Sequence, residues 1–290
     1  MHKIVKLITL TLVLVLANPI HAQLLYKISS KKSNHVSYLL ATSTLVESPF
    51  LDSIPEVFKA YNQSLTIICE LYKNDKVASS ELNNAKNLYM KSSLKELLSK
   101  EQFEWADSIF QQETSLSLLS MNRFKPFMTS QMFAFSIQNK LFPLSSNDVI
   151  DIQSFFPYMA SIDEKQIIGL SSTEEILKQN EKNRTIAQQL EVFLHLLNSK
   201  DAIQHFYVDQ KKAYMSQNLN TIYSGYSQSS LKYFQLQTKR EDLILNWTDS
   251  IINEINRTPC FIVLNAIYLT GEDGLIQQLK NRNIKVNPIK

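Results

Sequence analysis

The chain is 290 residues long, with 30 basic and 27 acidic side chains and a formal charge of +3 at neutral pH. So small a positive excess argues against a nucleic-acid binder, which needs a concentrated basic surface. The length suffices for one large core or two small domains.

Residues 1–22 read as a signal peptide. Lys3 and Lys6 give a basic start, Ile8 to Ala17 is an apolar run, and Ile20-His-Ala22 supplies an A-x-A-like end with cleavage before Gln23. The run is shorter than the about 20 residues a spanning helix requires. No cysteine lies near the cleavage point, which argues against a lipoprotein anchor. Cleavage removes two lysines and no acid, so residues 23–290 would carry +1. No later segment is long and apolar enough to cross a membrane. The mature chain is therefore expected to be exported, periplasmic or extracellular.

Leu24 to Ser29 and Val36 to Thr44 read as two strands joined by a polar turn. Ile54 to Tyr61 reads as a short helix. Leu65 to Glu70 is a continuous apolar strand that ends in an acid, and such runs suit a strand buried on both faces. The region from about 79 to 257 is mostly helical. Ser93-Leu-Lys-Glu96 and Ser99-Lys-Glu-Gln102 are capping boxes, and Leu94, Leu97, Leu98, Phe103, Ile109 and Phe110 form the stripe behind them. Phe124 to Phe135 is a further helix, with Pro126 at its start. Ile167 to Leu170 is a brief strand, and Ser172 to Glu175 caps the helix after it. Residues 183–257 contain almost no Gly or Pro and read as long helices. Cys260 to Leu264 is an apolar strand, followed by a turn with Gly271 and Gly274, a short helix, and a last strand over Ile284 to Ile289. Strands at both ends with helices between predict an α/β (α+β) fold: a central mixed β-sheet built from N- and C-terminal strands, with a large helical insertion or cap.

Several segments, in order, carry a resemblance. Leu24-Leu-Tyr-Lys-Ile-Ser29 is similar to a family opening L-L-W-K-I-S. Ser37 to Thr44 is similar to S-Y-L-F-G-T-x-H, with Tyr38 and Thr42 kept, Ala41 for the glycine and Thr44 for the histidine. Asn265-Ala-Ile-Tyr-Leu-Thr-Gly-Glu-Asp-Gly-Leu275 is similar to G-A-x-H-L-x-G-x-x-G-L, with Asn265 for the first glycine and Tyr268 for the histidine. Glu70 ends a V-L-E-like strand, Lys125-Pro126 matches a K-P element, and Ser171 stands where I-G-L-E has its acid. Trp247 is what remains of R-N-x-x-W, with Leu243 and Ile244 in place of Arg and Asn. In this order and spacing the chain resembles the TraB/GumN family of the Tiki-like superfamily, across residues 23–290 as one domain. The resemblance implies a metal-dependent hydrolase or peptidase scaffold, in which the histidines and the strand-end glutamate carry the metal.

The chain keeps little of that chemistry. A catalytic divalent metal takes about three protein ligands from His, Asp, Glu or Cys. The corresponding positions are Thr44, Glu70, Ser171 and Tyr268, of which only Glu70 is a good ligand. A neutral tyrosine ionises only near pH 10. The bland alternative for Glu70, a strand-end acid paired or capping, is equally admissible. No cofactor is expected; a divalent metal (zinc, manganese or cobalt) is the alternative. His2 and His21 lie in the signal. His35 is expected on the surface of the first turn, and His195 lies in an apolar helical run. His205 is not at ligand spacing. Thr42, Ser43 and Thr44 cluster without an adjacent base, which a nucleophile needs. The aromatic run Phe206, Tyr207, Tyr214, Tyr223, Tyr226, Tyr233 and Phe234 reads first as helix packing and second as a binding face. Cys69 and Cys260 read as buried thiols, with a bridge feasible only if their strands are neighbours of matching facing.

The function that fits is a non-catalytic binding or interaction protein on a degenerate hydrolase scaffold, with a protein, peptide or small ligand as partner and no nucleic acid. The alternative is a metal-dependent hydrolase with replaced ligands. On either reading the four side chains should converge on one cleft. The Tyr268 ring should be largely buried as a plug, with its hydroxyl bonded to Glu70 or to nearby backbone.

Overall fold

The computed structural model describes residues 23–54, 56–72, 88–146, 149–172, 175, 183–228 and 240–289. Residues 1–22, the expected signal peptide, lie outside them. So do Tyr233, Phe234 and residues 176–182, where the helix capped by Ser172 and Glu175 is expected.

Six strands form one sheet: β1 Leu25–Ser29, β2 Ser37–Thr42, β3 Thr66–Leu71, β4 Gln166–Ser171, β5 Cys260–Asn265 and β6 Lys285–Pro288. Their order is β4-β3-β5-β2-β1-β6. The two apolar runs Thr-Ile-Ile-Cys and Cys-Phe-Ile-Val-Leu take the inner positions β3 and β5, where nearly every residue is buried. That is the composition parallel strands covered on both faces require. β2, β5, β3 and β4 run parallel, and β1 is antiparallel to both β2 and β6. The sheet is thus mixed, and β2, β3, β4 and β5 end at the same edge.

Ten helices accompany the sheet among the described residues: α1 Val57–Asn62, α2 Leu94–Leu97, α3 Lys100–Thr114, α4 Pro126–Leu141, α5 Ile152–Ile162, α6 Ile186–Asn198, α7 Lys200–Met215, α8 Leu219–Gln228, α9 Arg240–Arg257 and α10 Leu275–Asn281. Reciprocal capping boxes start α2, α3 and α6, at Ser93, Ser99 and Thr185. Each satisfies two backbone donors that a helix start would otherwise leave open. α1 and α5 bring Tyr61 and Phe156 onto Phe261 of β5, with ring centroids 4.8 to 6.0 Å apart. α9 buries Leu243, Ile244, Trp247, Ile251 and Ile255 along one face, the 3–4 spacing of a core-facing helix.

Two apolar cores result. The first combines the sheet with α1, α5, α9 and α10. The second is all helical and centres on Phe110, which lies 6.4 Å from Phe133 and 6.1 Å from Phe193. At its margin buried Glu113 pairs with Lys140 at 3.2 Å and Lys200 at 2.6 Å, tying α3 to α4 and α7. α7 joins the two cores: Ile203 near its start belongs to the helical core, Tyr214 near its end to the sheet core, and Tyr207 between them packs on both. No helix among the described residues is long and apolar enough to cross a membrane.

His35 departs from the surface expectation. It is half-buried, with Nε2 2.9 Å from the Ile255 carbonyl, because the β1–β2 turn folds back onto the end of α9.

Both cysteines are buried and free. β3 and β5 are neighbours, yet Cys260 sits opposite Thr66 and Cys69 opposite Val263. The offset of three residues is about 10 Å along the strand, beyond the roughly 7 Å a disulfide can span, and the odd count points the side chains to opposite faces. Burial pushes both thiols up to about 12. At pH 8 only about one part in ten thousand would be thiolate. Folded protein should therefore leave both thiols unreacted with a disulfide reagent at pH 8, and denaturant should release two per chain. Two fast-reacting thiols without denaturant would show these strands to be open.

Candidate functional site

In open sheets of this kind ligands sit outside the carboxyl ends of the parallel strands, where consecutive connections diverge. A cavity of about 350 Å³ occupies that position here. One wall is Thr42 to Leu45, where β2 ends. A second is Asn265 to Tyr268, where β5 ends in a short 3₁₀ turn. Asn265 starts that turn: its Oδ1 accepts from Ile267 N at 3.2 Å and its Nδ2 donates to Gln153 Oε1 at 3.1 Å. The helical side supplies Gln131 and Gln138 from α4, four residues of α7, and Ile222 and Tyr226 from α8.

Thr44 and Tyr268 line the cavity, and Glu70 and Ser171 lie behind its wall. Thr44 is exposed, and its carbonyl accepts from Gln138 Nε2 at 3.1 Å. The Glu70 carboxylate accepts from Asn265 N at 2.6 Å, directly behind the β5 end. Burial pushes Glu70 up to about 7; the Asn265 N–H and Gln153, which favour the anion, oppose that shift without cancelling it. Ser171 Oγ accepts from Trp247 Nε1 at 2.8 Å, and the Trp247 ring meets Tyr268 edge-on at 4.9 Å. The four positions are thus connected: Ser171 through Trp247 to Tyr268, and Glu70 through the β5 end.

Tyr268 meets half of the plug expectation: its ring is mostly buried against the sheet core, but its hydroxyl makes no hydrogen bond to Glu70 or backbone among the described residues. The ring leans on Trp247 instead, which turns it along the cavity wall. Burial and the nearby Glu70 charge raise its hydroxyl above the ordinary tyrosine value, so it stays protonated.

Arg240 was not foreseen from the sequence. It opens α9 and is 4% exposed, at the head of the apolar stripe through Leu243, Ile244 and Trp247. A cation in register with such a stripe is the signal that could have found it. Its Nε donates to the Ile267 carbonyl at 2.7 Å, its Nη2 to the Thr270 carbonyl, and its Nη1 pairs with Asp273 at 2.5 Å. The Tyr223 ring covers the guanidinium at 5.0 Å, and Tyr223 donates to Asp273 at 3.4 Å. Gly271, at φ +93°, lies under the same ring, and a Cβ there would fall onto it. This clasp fixes the β5–α10 connection beside the cavity.

Of the aromatic run, Phe206, Tyr207, Tyr214 and Tyr226 line the cavity. Tyr214 is also structural: it is 1% exposed, and its hydroxyl donates to the Ala41 carbonyl at 2.8 Å. Thr42 is fully buried, and its Oγ1 has no hydrogen-bond partner among the described residues. No histidine and no carboxylate is among the described residues lining the cavity. His195 contacts Ser199 at 3.2 Å, and His205 is exposed. The hydroxyls of Thr42, Ser43 and Thr44 therefore have no neighbouring histidine or carboxylate among the described lining residues.

The family positions supply only one residue of the usual divalent-metal ligand types, Glu70. Three of the four offer neutral hydroxyls, and the fourth, Glu70, already accepts a backbone hydrogen bond. Among the described residues no three His, Cys, Asp or Glu side chains are grouped so as to hold an ion. A family model described as the TraB/PrgY/gumN family matches residues 24–288. No curated protein and no solved structure matches the chain.

Proposed function

The chain belongs to the TraB/PrgY/gumN family, and from that premise we propose that it is an exported, non-catalytic ligand-binding protein whose site is the cavity at the strand ends. The observation that carries this reading is the lining: aromatic rings, amides and hydroxyls, with no imidazole or carboxylate among the described residues. Such a surface offers contact area and hydrogen bonds but no nucleophile–base pair. The basic, apolar and small-residue order of residues 1–22 supports export.

Titration of the mature protein with zinc, manganese or cobalt is the test. Weak, non-stoichiometric heats are expected, because one carboxylate falls short of a first coordination shell. A one-to-one transition that vanishes in Glu70→Gln would overturn the reading.

One observation favours the alternative hydrolase. A carboxyl near 7 is suited to general acid–base work at neutral pH. Glu70 would then need substrate access through the Asn265 wall. Hydrolysis of a peptide library by wild type but not by Glu70→Gln would promote that alternative.

A further inference from the structure

We propose, resting on the binding-protein reading above, that the ligand of the strand-end cavity is an uncharged saccharide of one or two rings.

The charges of the wall narrow the choice first. Arg240 is the one cationic residue among those described around the cavity; its Nε and Nη2 donate to the Ile267 and Thr270 carbonyls, and its charge is already paired with Asp273. A phosphate or carboxylate would find no uncommitted cation. An ammonium group would find no carboxylate in the lining. The ligand is therefore neutral.

Polarity narrows it next. Gln138 and Gln210 each give one amide N–H to a carbonyl, of Thr44 and Ile222 respectively, which leaves Oε1 as an acceptor and a second N–H as a donor in each. Tyr268 presents a hydroxyl without a partner among the described residues, and the buried Thr42 Oγ1 lies unpartnered just behind the wall. A wholly apolar ligand would strip water from the Gln138, Gln210 and Tyr268 oxygens and return no hydrogen bonds. A ligand rich in hydroxyls both donates and accepts, and so meets carbonyl oxygens and hydroxyls alike. Its C–H faces lie naturally on aromatic rings, which the cavity provides at Tyr268 and along α7 and α8.

A peptide has the same polarity but needs different architecture. Extended peptides gain affinity by pairing with an open strand edge. Here β2 is flanked by β5 and β1, and β5 by β3 and β2, so neither cavity-forming strand has a free edge. The volume, about 350 Å³, is at the small end of ligand pockets, roughly 300–1,000 Å³, which matches one or two sugar rings better than a longer chain.

Saturation-transfer NMR and calorimetry on the mature protein test this. The probes are N-acetylglucosamine, cellobiose, maltose and diacetylchitobiose. The counter-probes are glucuronate and N-acetyl-trialanine amide. At least one neutral saccharide should bind, and Tyr268→Phe should weaken it fivefold or more without moving the melting temperature, since that hydroxyl bonds nothing among the described residues. Gln131→Ala, at the exposed rim, is a second variant that should weaken the same probe. Unchanged saccharide affinity in both variants would place the sugar elsewhere and overturn the assignment. Binding of the capped peptide alone, weakened by Tyr268→Phe, would overturn the saccharide assignment and leave the binding-protein reading standing. Silence from every probe would also overturn it, and the metal titration then decides the broader reading independently.

Discussion

Arg240→Met should melt about 8 °C below wild type. Removing one partner of a buried ion pair costs about 3–5 kcal/mol, because the other partner keeps its desolvation penalty without its compensation. Asp273, 29% exposed, recovers some water, so the lower figure applies. Each kcal/mol moves the midpoint by about 2–4 °C in a chain of this size. The loss extends beyond the pair, since the Ile267 and Thr270 carbonyls lose their donors in the same step. Burial alone would raise the Asp273 carboxyl, but hydrogen bonding and charge from Arg240 outweigh it and hold it below the ordinary value. In Arg240→Met that carboxyl should titrate at higher pH. Arg240→Lys should recover only part of the loss, because one ammonium cannot repeat the forked geometry. Thermal unfolding followed by circular dichroism measures all three proteins, and a drop below 2 °C for the methionine variant would show the clasp to be dispensable.

Glu70→Gln should stabilise the protein, and by an amount that grows with pH. Glu70 is raised to about 7 in the fold, above the unfolded value of about 4.3. A group raised on folding contributes stability that is complete below the unfolded value and is lost as pH climbs through the folded one. Between the two, the folded state holds a proton the unfolded state has released, so stability falls with rising pH. The penalty levels off above pH 7 at about 3.5 kcal/mol. Glutamine keeps the Oε1 acceptor for Asn265 N and carries no charge. The difference between variant and wild type should be about 0.5 kcal/mol at pH 4.5 and about 3.5 kcal/mol in favour of the variant at pH 8. Denaturant titrations at several pH values measure it. A difference that does not change with pH would mean that folding leaves the Glu70 carboxyl unshifted.

The sheet was readable because its inner strands advertise themselves. Runs such as Ile67-Ile-Cys69 and Phe261-Ile-Val-Leu264 have little place except between two covered faces. Ser93, Ser99 and Thr185 cap helices by local chemistry, and local chemistry is visible in sequence. The hydroxyls at Thr44 and Ser171 and the ring of Tyr268 could be placed at strand ends because they come directly after such runs. The neighbours that decide their behaviour could not. Gln153 and Asn265 are brought to Glu70 from segments far apart in the chain, and nothing in the local sequence of α5 marks Gln153. Tyr268 was expected to reach Glu70, but Trp247, from a different helix, offers the ring a better resting surface. The division into two cores was equally hidden, because Ile203 and Tyr214 look like members of one apolar stripe.

That stripe belongs to α7, about 24 Å long, rooted at one end beside Phe193 and Phe110 and at the other against the Ala41 carbonyl. A beam shared by two rooms cannot be removed with either. The helical region is consequently not a detachable lid on a self-sufficient sheet: excising it would take away Tyr214, leave the Ala41 carbonyl without its donor and open the sheet core along that side. Sequence drift in the helical core, at positions that never touch a ligand, would tilt the same beam and reshape the chamber at the strand ends.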